Sequence, residues 1–425
     1  MTHVSFGGLL AVAVIALAAP LLVNLAPKAR IPADVVAIVA GIIVGPSVLD
    51  WVRIDTPITV LSLLGLAFLL FLAGLELDLD RLRGPPLRLA GTGFLISVAI
   101  GVIAGWVFHA VGYVRSPFLL AVALSATSLG LVVPILKDAG QLDKDLGQLA
   151  VAGSSVAEFG ATLLLSLFFS GSSGSSSTRI VLIAGLAVLV VVIALALSRL
   201  NMSMRFDAVL TRLQDTTAEI RVRMAIVLLV GFAAVAEKIG LEAILGAFLA
   251  GGILAAADKR SMSHPYFRAK LEAIGYGFLV PVFFVASGIR LDLQALTQSP
   301  SAFARVPLFL IALLLVRGLP AALYRRRVGD RGAVAAGLLQ ATSLPVLVTA
   351  VQIGQSVGKI SAATGAALIF AGLLSVVIFP VSALRLLGTP RRRSTPPTPT
   401  AALCAATAGP CRATTPKLPP PPTKS

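Results

Sequence analysis

Glu158 stands in the run VAGSSVAEFG, Val151–Gly160, about the middle of an apolar segment. A carboxylate at bilayer depth costs at least about 2.5 kcal/mol on insertion scales, so a chain that keeps one there has a use for it. Burial favours the neutral acid and a bound cation favours the carboxylate, which makes one such group exchangeable between a proton and a metal ion. A glutamate paired to a neighbouring helix for structural reasons is the alternative reading. Of the nineteen acidic residues, the other eighteen fall in loops, in the tight junction around Glu237 and Glu242, or at segment ends such as Asp34, Glu76 and Asp292. The basic counterpart is Arg317, deep in the run Leu313–Leu319. Arginine stays protonated under all relevant conditions, so its expected role is structural or electrostatic and not proton carriage. Snorkelling to the interface is the plainer alternative.

Two polar runs share a pattern with each other. Ser125–Gly130 reads SATSLG and Gln340–Pro345 reads QATSLP, each in the middle of an apolar segment. Glycine and proline there leave backbone carbonyls unpaired, which a membrane tolerates only where neighbours or a cavity satisfy them. Serine and threonine can also bond back to their own helix turn. Recurrence of the pattern in both places favours a binding site over that simpler role. The candidate ligands are therefore Glu158, Thr127, Ser128, Thr342 and Ser343, with Ser154, Ser155, Gln340 and Arg317 in support. Hard alkali cations suit such oxygen ligands, and Glu158 is the group that would bind the transported metal ion.

Further matches accompany this one. Ala40–Ile43, AGII, resembles Ala250–Ile253, AGGI, and Gly74–Leu79, GLELDL, resembles Gly288–Leu293, GIRLDL. The offsets are 210, 214 and, for the ATSL pair, 215 residues. Glu158 and Arg317 have no charged counterparts at the matching positions, so the repeats read as scaffold and these two residues as chemistry.

The elements that must position these residues are membrane helices. The chain has 425 residues, 57% hydrophobic and 13% charged, with a mean hydropathy of +0.95. A soluble chain carries about 25% charged residues, so a water-soluble enzyme is excluded, and a disordered protein needs low hydrophobicity. The net charge of +16 lies in short loops without the aromatic-lined basic groove of a nucleic-acid binder. The two cysteines, Cys404 and Cys411, sit in the tail, and His3, His109 and His264 form no ligand motif. No cofactor and no enzymatic activity are expected.

At about 20 residues per span, about thirteen segments begin near residues 5, 32, 58, 88, 117, 146, 179, 222, 241, 275, 304, 332 and 359. The first lacks a preceding Lys or Arg and so reads as a helix, not a signal peptide. Loops after odd-numbered segments hold twenty basic residues and the C-terminal end adds seven, against seven on the other side. The positive-inside rule then puts the N-terminus outside and the C-terminus in the cytoplasm. Matches between segments 2 and 9, 3 and 10, and 5 and 12 are each seven segments apart. An odd separation inverts one half relative to the other, the arrangement that supports alternating access. The expected architecture is an all-α polytopic membrane protein with inverted-topology repeats. Residues 1–388 form the transmembrane domain, with repeat A at about 5–170, a linking helix at about 179–199 and repeat B at about 222–388. Gly171–Ser177, GSSGSSS, reads as a flexible external loop. Residues 389–425 read as a disordered, basic, Pro-rich cytoplasmic tail. Its Arg391, Arg392 and Arg393 read as topogenic charge, with anionic-lipid binding as the alternative.

Several of these runs together resemble the monovalent cation:proton antiporters, the branch of the sodium/proton exchanger superfamily that includes the potassium-efflux exchangers. The likeness covers about residues 5–388. It is carried by AGIIVGPSVL at the end of Pro32–Leu49, LLFLAGLELD at Leu69–Asp78, GAFLAG at Gly246–Gly251 and PVFFVASG at Pro281–Gly288. The resemblance implies a homodimer of thirteen-helix subunits in the cell membrane, with a mobile core moving against a dimerisation domain. It also implies two broken helices crossing at mid-membrane, which here are segments 5 and 12. The family's ion-binding carboxylate aligns with Glu158 and its embedded basic residue with Arg317. The family usually has Asp at the position of Glu158 and often Asp or Asn at that of Ala157.

The expected function is secondary active exchange of Na⁺ or K⁺ for H⁺. A single carboxylate holding one ion or the other predicts one-for-one, electroneutral exchange. The alternatives are a Na⁺-coupled symporter of a small organic solute, for which no roomy organic site is legible, and a channel.

Overall fold

Lipid offers no hydrogen bonds to a peptide group, so each apolar segment satisfies its backbone within itself as a helix. The computed structural model describes residues 6–25, 32–76, 85–142, 144–169, 185, 219–239, 241–257, 265–297 and 300–387, all within the unit Met1–Thr389. Among them there is no strand. Apart from residue 185, the seventh candidate segment lies outside the described residues, as do the Gly171–Ser177 loop and the tail.

The helices in chain order are α1 (Phe6–Leu25), α2 (Ala33–Val44), α3 (Thr56–Leu75), α4 (Pro85–Ala110), α5 (Pro117–Ser125), α6 (Leu129–Asp138) and α7 (Asp145–Phe169). After the undescribed stretch come α8 (Ile220–Lys238), α9 (Ala243–Ala257), α10 (Pro265–Ile274) and α11 (Val280–Ile289), the last two joined by a π-helical turn, Gly275–Leu279. The remainder are α12 (Leu293–Thr297), α13 (Pro300–Gly318), α14 (Arg325–Gln340), α15 (Pro345–Ser356) and α16 (Ala362–Leu386). Among the described residues, seven helical runs are long and apolar enough to cross a membrane, and shorter apolar helices accompany them. The junction at Glu237 and Lys238 does divide two helices, α8 and α9.

Local chemistry sets the boundaries. Asp55 caps α3 by accepting the Ile58 N–H at 3.0 Å, with Pro57 in the first turn. Ser361 likewise accepts the Thr364 N–H at the start of α16. Gly329 has φ +71°, a left-handed conformation that interrupts the helical path inside α14 and that glycine adopts without steric cost.

Two of the sequence matches mark helix crossings. Gly74 of α3 faces the Phe248 carbonyl of α9, and Gly251 of α9 faces the Phe71 carbonyl of α3. The second crossing has the same form: Gly41 of α2 faces the Val285 carbonyl of α11, and Gly288 of α11 faces the Ile38 carbonyl of α2. A Cβ at any of the four would overlap the opposing backbone. Under the repeat Gly74 corresponds to Gly288 and Gly41 to Gly251, so one crossing maps onto the other. Helices in lipid gain little from apolar burial and associate through close van der Waals approach, which small residues permit. The recurrent AG and G-x-x-L-D-L motifs are these contact points. The third match is the pair of helix breaks described below.

Packing sorts the helices into two groups. In one, α1, α2, α3, α8, α9, α10 and α11 pack together; in the other, α4, α5, α6, α7, α13, α14, α15 and α16 do. The groups meet where Phe159 of α7 stacks on Phe248 of α9, with ring centroids 5.5 Å apart, and where Ser166 of α7 accepts the Glu242 N–H at 3.0 Å.

Candidate functional site

The helical segment running through α5 and α6 stops at Ser125 and resumes at Leu129; the one running through α14 and α15 stops at Gln340 and resumes at Pro345. Pro345 has no N–H to extend the preceding helix, and its ring forces the residue before it out of the helical region. Leu344 accordingly has φ −140°. The two breaks lie against each other. The Ser128 N–H donates to the Thr342 carbonyl at 3.0 Å, and the Thr127 hydroxyl donates to the Gln340 carbonyl at 2.6 Å. Backbone groups released by each break are thus taken up by the other.

Glu158 comes to this crossing from α7, with 2% of its surface exposed. One carboxylate oxygen accepts the Leu129 N–H at 2.8 Å. Leu129 is the first residue of α6, and its N–H has no partner within its own helix. The N-terminal end of a helix carries partial positive charge and is a natural seat for an anion. The acid is therefore held by the very group that the break in the helix sets free.

The predicted hydroxyls do different things. Thr127 is fully engaged, donating to Gln340 and accepting from Arg317. Thr342 turns back to its own helix, 3.4 Å from the Leu338 carbonyl, as the simpler reading of these runs anticipated. Ser128 and Ser155 are buried at 3% exposure. Ser343 and Ser154 are fully buried, and their hydroxyl oxygens have no hydrogen-bond partner. Gln340 is buried, with its side-chain amide donating to the Tyr324 hydroxyl at 3.1 Å.

Arg317, 1% exposed, does not snorkel. Its Nε donates to Thr127 Oγ1 at 2.7 Å, Nη1 to Ser97 Oγ at 2.9 Å and Nη2 to the Gly153 carbonyl at 3.2 Å. The planar guanidinium thereby ties α13 to α4, to the first helix break and to α7 at Gly153, on the N-terminal side of Glu158. A point-like ammonium could not present that fork of donors.

Sequence reasoning missed Ser97 and Ser375. Ser375 on α16 accepts the Ser343 N–H at 3.3 Å and so supports the second break. Each is one hydroxyl in an apolar segment, with no motif around it. Tyr276 was missed as well. It sits on the π-helical turn, a geometry frequent at functional sites, with its hydroxyl near Gly130 of α6. It also lines an open cleft of about 430 Å³ beside Asp34.

The family description "Sodium/hydrogen exchanger, transmembrane" matches residues 13–387. The chain belongs to the sodium/hydrogen exchanger family. Its fold resembles that of the sodium proton antiporter MjNhaP1 from Methanocaldococcus jannaschii, with a TM-score of 0.65 over 90% of this chain and 98% of that one at 18% identity. Among relatives, the Bacillus subtilis protein YjbQ is 29% identical over 90% of this exchanger-family chain, a match spanning 63% of YjbQ's own length. The Na⁺/H⁺ antiporter of Enterococcus hirae is 26% identical over 83% of this chain and 90% of its own. The Na⁺/H⁺-K⁺ antiporter GerN of Bacillus cereus is 28% identical over 67% and 72%. In this exchanger-family chain, the two interrupted helices and the buried acid lie within the matched region.

Proposed function

We propose that this protein exchanges a monovalent cation, Na⁺ or K⁺, for H⁺ by alternating access, with Glu158 binding each ion in turn. The observation that carries the proposal is the buried carboxylate held by the Leu129 N–H where two broken helices cross. Ser154 and Ser343 offer unpartnered hydroxyl oxygens for the cation, and Ser128 stands at the break, its N–H on the carbonyl of Thr342, the residue before Ser343. Thr127 and Thr342 serve the same site through the geometry of the crossing. The names of the relatives from Enterococcus hirae and Bacillus cereus support exchange of Na⁺, and that of GerN supports K⁺ as well. They favour exchange over symport of an organic solute.

A proton and a cation competing for one carboxylate give one-for-one, electroneutral exchange. Repeat A at about 5–170 and repeat B at about 222–388, joined by a helix at about 179–199, form the scaffold of the movement. The protein works as a homodimer in the cell membrane, N-terminus outside, with the tail from residue 389 in the cytoplasm.

Proteoliposomes loaded with a pH dye and challenged in turn with Na⁺, K⁺ and Li⁺ test this reading. Glu158→Gln keeps an acceptor for the Leu129 N–H but cannot carry a proton or neutralise a cation. It should abolish exchange in a folded protein, and retained proton-coupled flux would overturn the assignment. In the wild type the KM for the cation should fall as pH rises, about tenfold per unit where the protonated acid dominates, since proton and cation exclude each other. Flux that responds to an imposed potential with the pH gradient clamped would refute one-for-one exchange.

A further inference from the structure

Ser154, Glu158, Thr162 and Ser166 recur at every fourth residue of α7, a spacing that lines them along one helix face. All four are buried, the three hydroxyl residues completely. Glu158 meets the first N–H of α6, and Ser166, two turns further on, meets the Glu242 N–H at the start of α9. The row therefore runs from the crossing of the broken helices to the boundary between the two helical groups. The Phe159–Phe248 stack lies on the same boundary.

Thr162 sits between those two fixed points, and its hydroxyl oxygen, sealed from solvent, has no hydrogen-bond partner. A buried threonine in a helix ordinarily bonds back to the carbonyl four residues earlier. Ser97, Ser125, Ser287 and Thr349 do so here; Thr162 does not. An unsatisfied buried hydroxyl costs stability that a valine of nearly the same shape would not. An oxygen left in this state one turn from the buried acid is suited to a partner that the protein itself does not supply.

We propose that Thr162 is a second stop for the transported cation, its hydroxyl ligating the ion as it passes between Glu158 and the Phe169 end of α7, with Ser166 next along the same face. Alkali cations take oxygen ligands, and a neutral hydroxyl offers lone pairs without the charge that would hold the ion too tightly to leave. The proposal rests on Glu158 as the ion carrier.

Thr162→Val removes the hydroxyl with little change in shape. In proteoliposomes it should raise the KM for Na⁺ or K⁺ about three- to tenfold, the range of one lost hydrogen-bond-strength contact, with a melting temperature no lower than that of the wild type. Thr162→Ser should restore the KM, and Thr162→Ala provides a second hydroxyl-free variant should Val fail to fold. A wild-type KM in the hydroxyl-free variants overturns the proposal. An equal KM rise in Thr162→Ser also overturns it, because shape and not the hydroxyl would then matter. A melting temperature that falls in parallel with activity assigns Thr162 a structural role instead. Glu158→Gln measured alongside separates the two readings: exchange surviving in that variant refutes the carrier, whereas exchange lost there with wild-type KM at Thr162 variants refutes the second stop alone.

Discussion

Thr127→Val isolates the bond that fixes the crossing of the broken helices. The hydroxyl accepts from Arg317 Nε at 2.7 Å and donates to the Gln340 carbonyl at 2.6 Å, in a place with no exposed surface. Valine leaves a charged donor and a backbone carbonyl buried without these partners. A hydrogen bond to a charged group contributes about 1.5–3 kcal/mol and a neutral one about 1 kcal/mol, so the expected loss is about 3 kcal/mol. Thr127→Ser keeps the hydroxyl and loses one methyl, about 1 kcal/mol. Thermal melting of the purified protein should therefore rank wild type, Ser, then Val, with roughly 3–8 °C between wild type and Val. A double-mutant cycle sharpens the test. Once Arg317→Met has removed the guanidinium, Thr127→Val forfeits only the Gln340 bond, and its cost should shrink to about 1 kcal/mol, a coupling of about 2 kcal/mol. Additive effects of the two substitutions, or a Val variant as stable as the wild type, would refute the view that Arg317 acts through Thr127.

Arg317→Lys keeps the charge but loses the planar fork that reaches Ser97, Thr127 and Gly153 together; it should behave more like Arg317→Met than like wild type in both melting and flux assays. Wild-type behaviour would mean that charge alone is needed. Gly74→Ala drives a methyl into the Phe248 carbonyl across the α3–α9 crossing, and overpacking of this kind costs about 1–3 kcal/mol or more, read as a lower melting temperature or loss of folded protein; Gly91→Ala, where nothing lies within 4 Å, is the neutral control. On the surface, Arg325 beside Asp330 holds that carboxyl below the usual Asp range. A lowered folded-state value means that any stability it adds is present above the ordinary Asp pKa and disappears as pH falls through the lowered one. Because the pair is exposed and screened, Asp330→Asn should leave the melting temperature near that of wild type at neutral pH, and a large drop would show the pair to be structural.

Much of this was already legible in the chain. Apolar length and loop charge are local properties, so most helix positions follow from them. The acid at Glu158 stood out because one carboxylate in an apolar run is conspicuous without any knowledge of its neighbours. The paired SATSLG and QATSLP runs announced the two breaks because glycine, proline and hydroxyl residues act on their own backbone. Other facts needed the packed molecule. The GLELDL and GIRLDL matches could be seen as a repeat, but only the crossings explained them, through the glycines at which two backbones touch. Arg317 could be picked out, but not its three partners, which lie 164 to 220 residues away in sequence. The equivalence of Thr127, Ser128, Thr342 and Ser343 also dissolved: Thr127 is bonded on both sides, Thr342 turns to its own helix, and Ser343 is left open. The physical reason is common to all of these. Lipid is as apolar as the protein interior, so no hydrophobic stripe tells which face of a membrane helix meets which neighbour. That choice is made by close packing and by individual hydrogen bonds, and these exist only once the helices have come together.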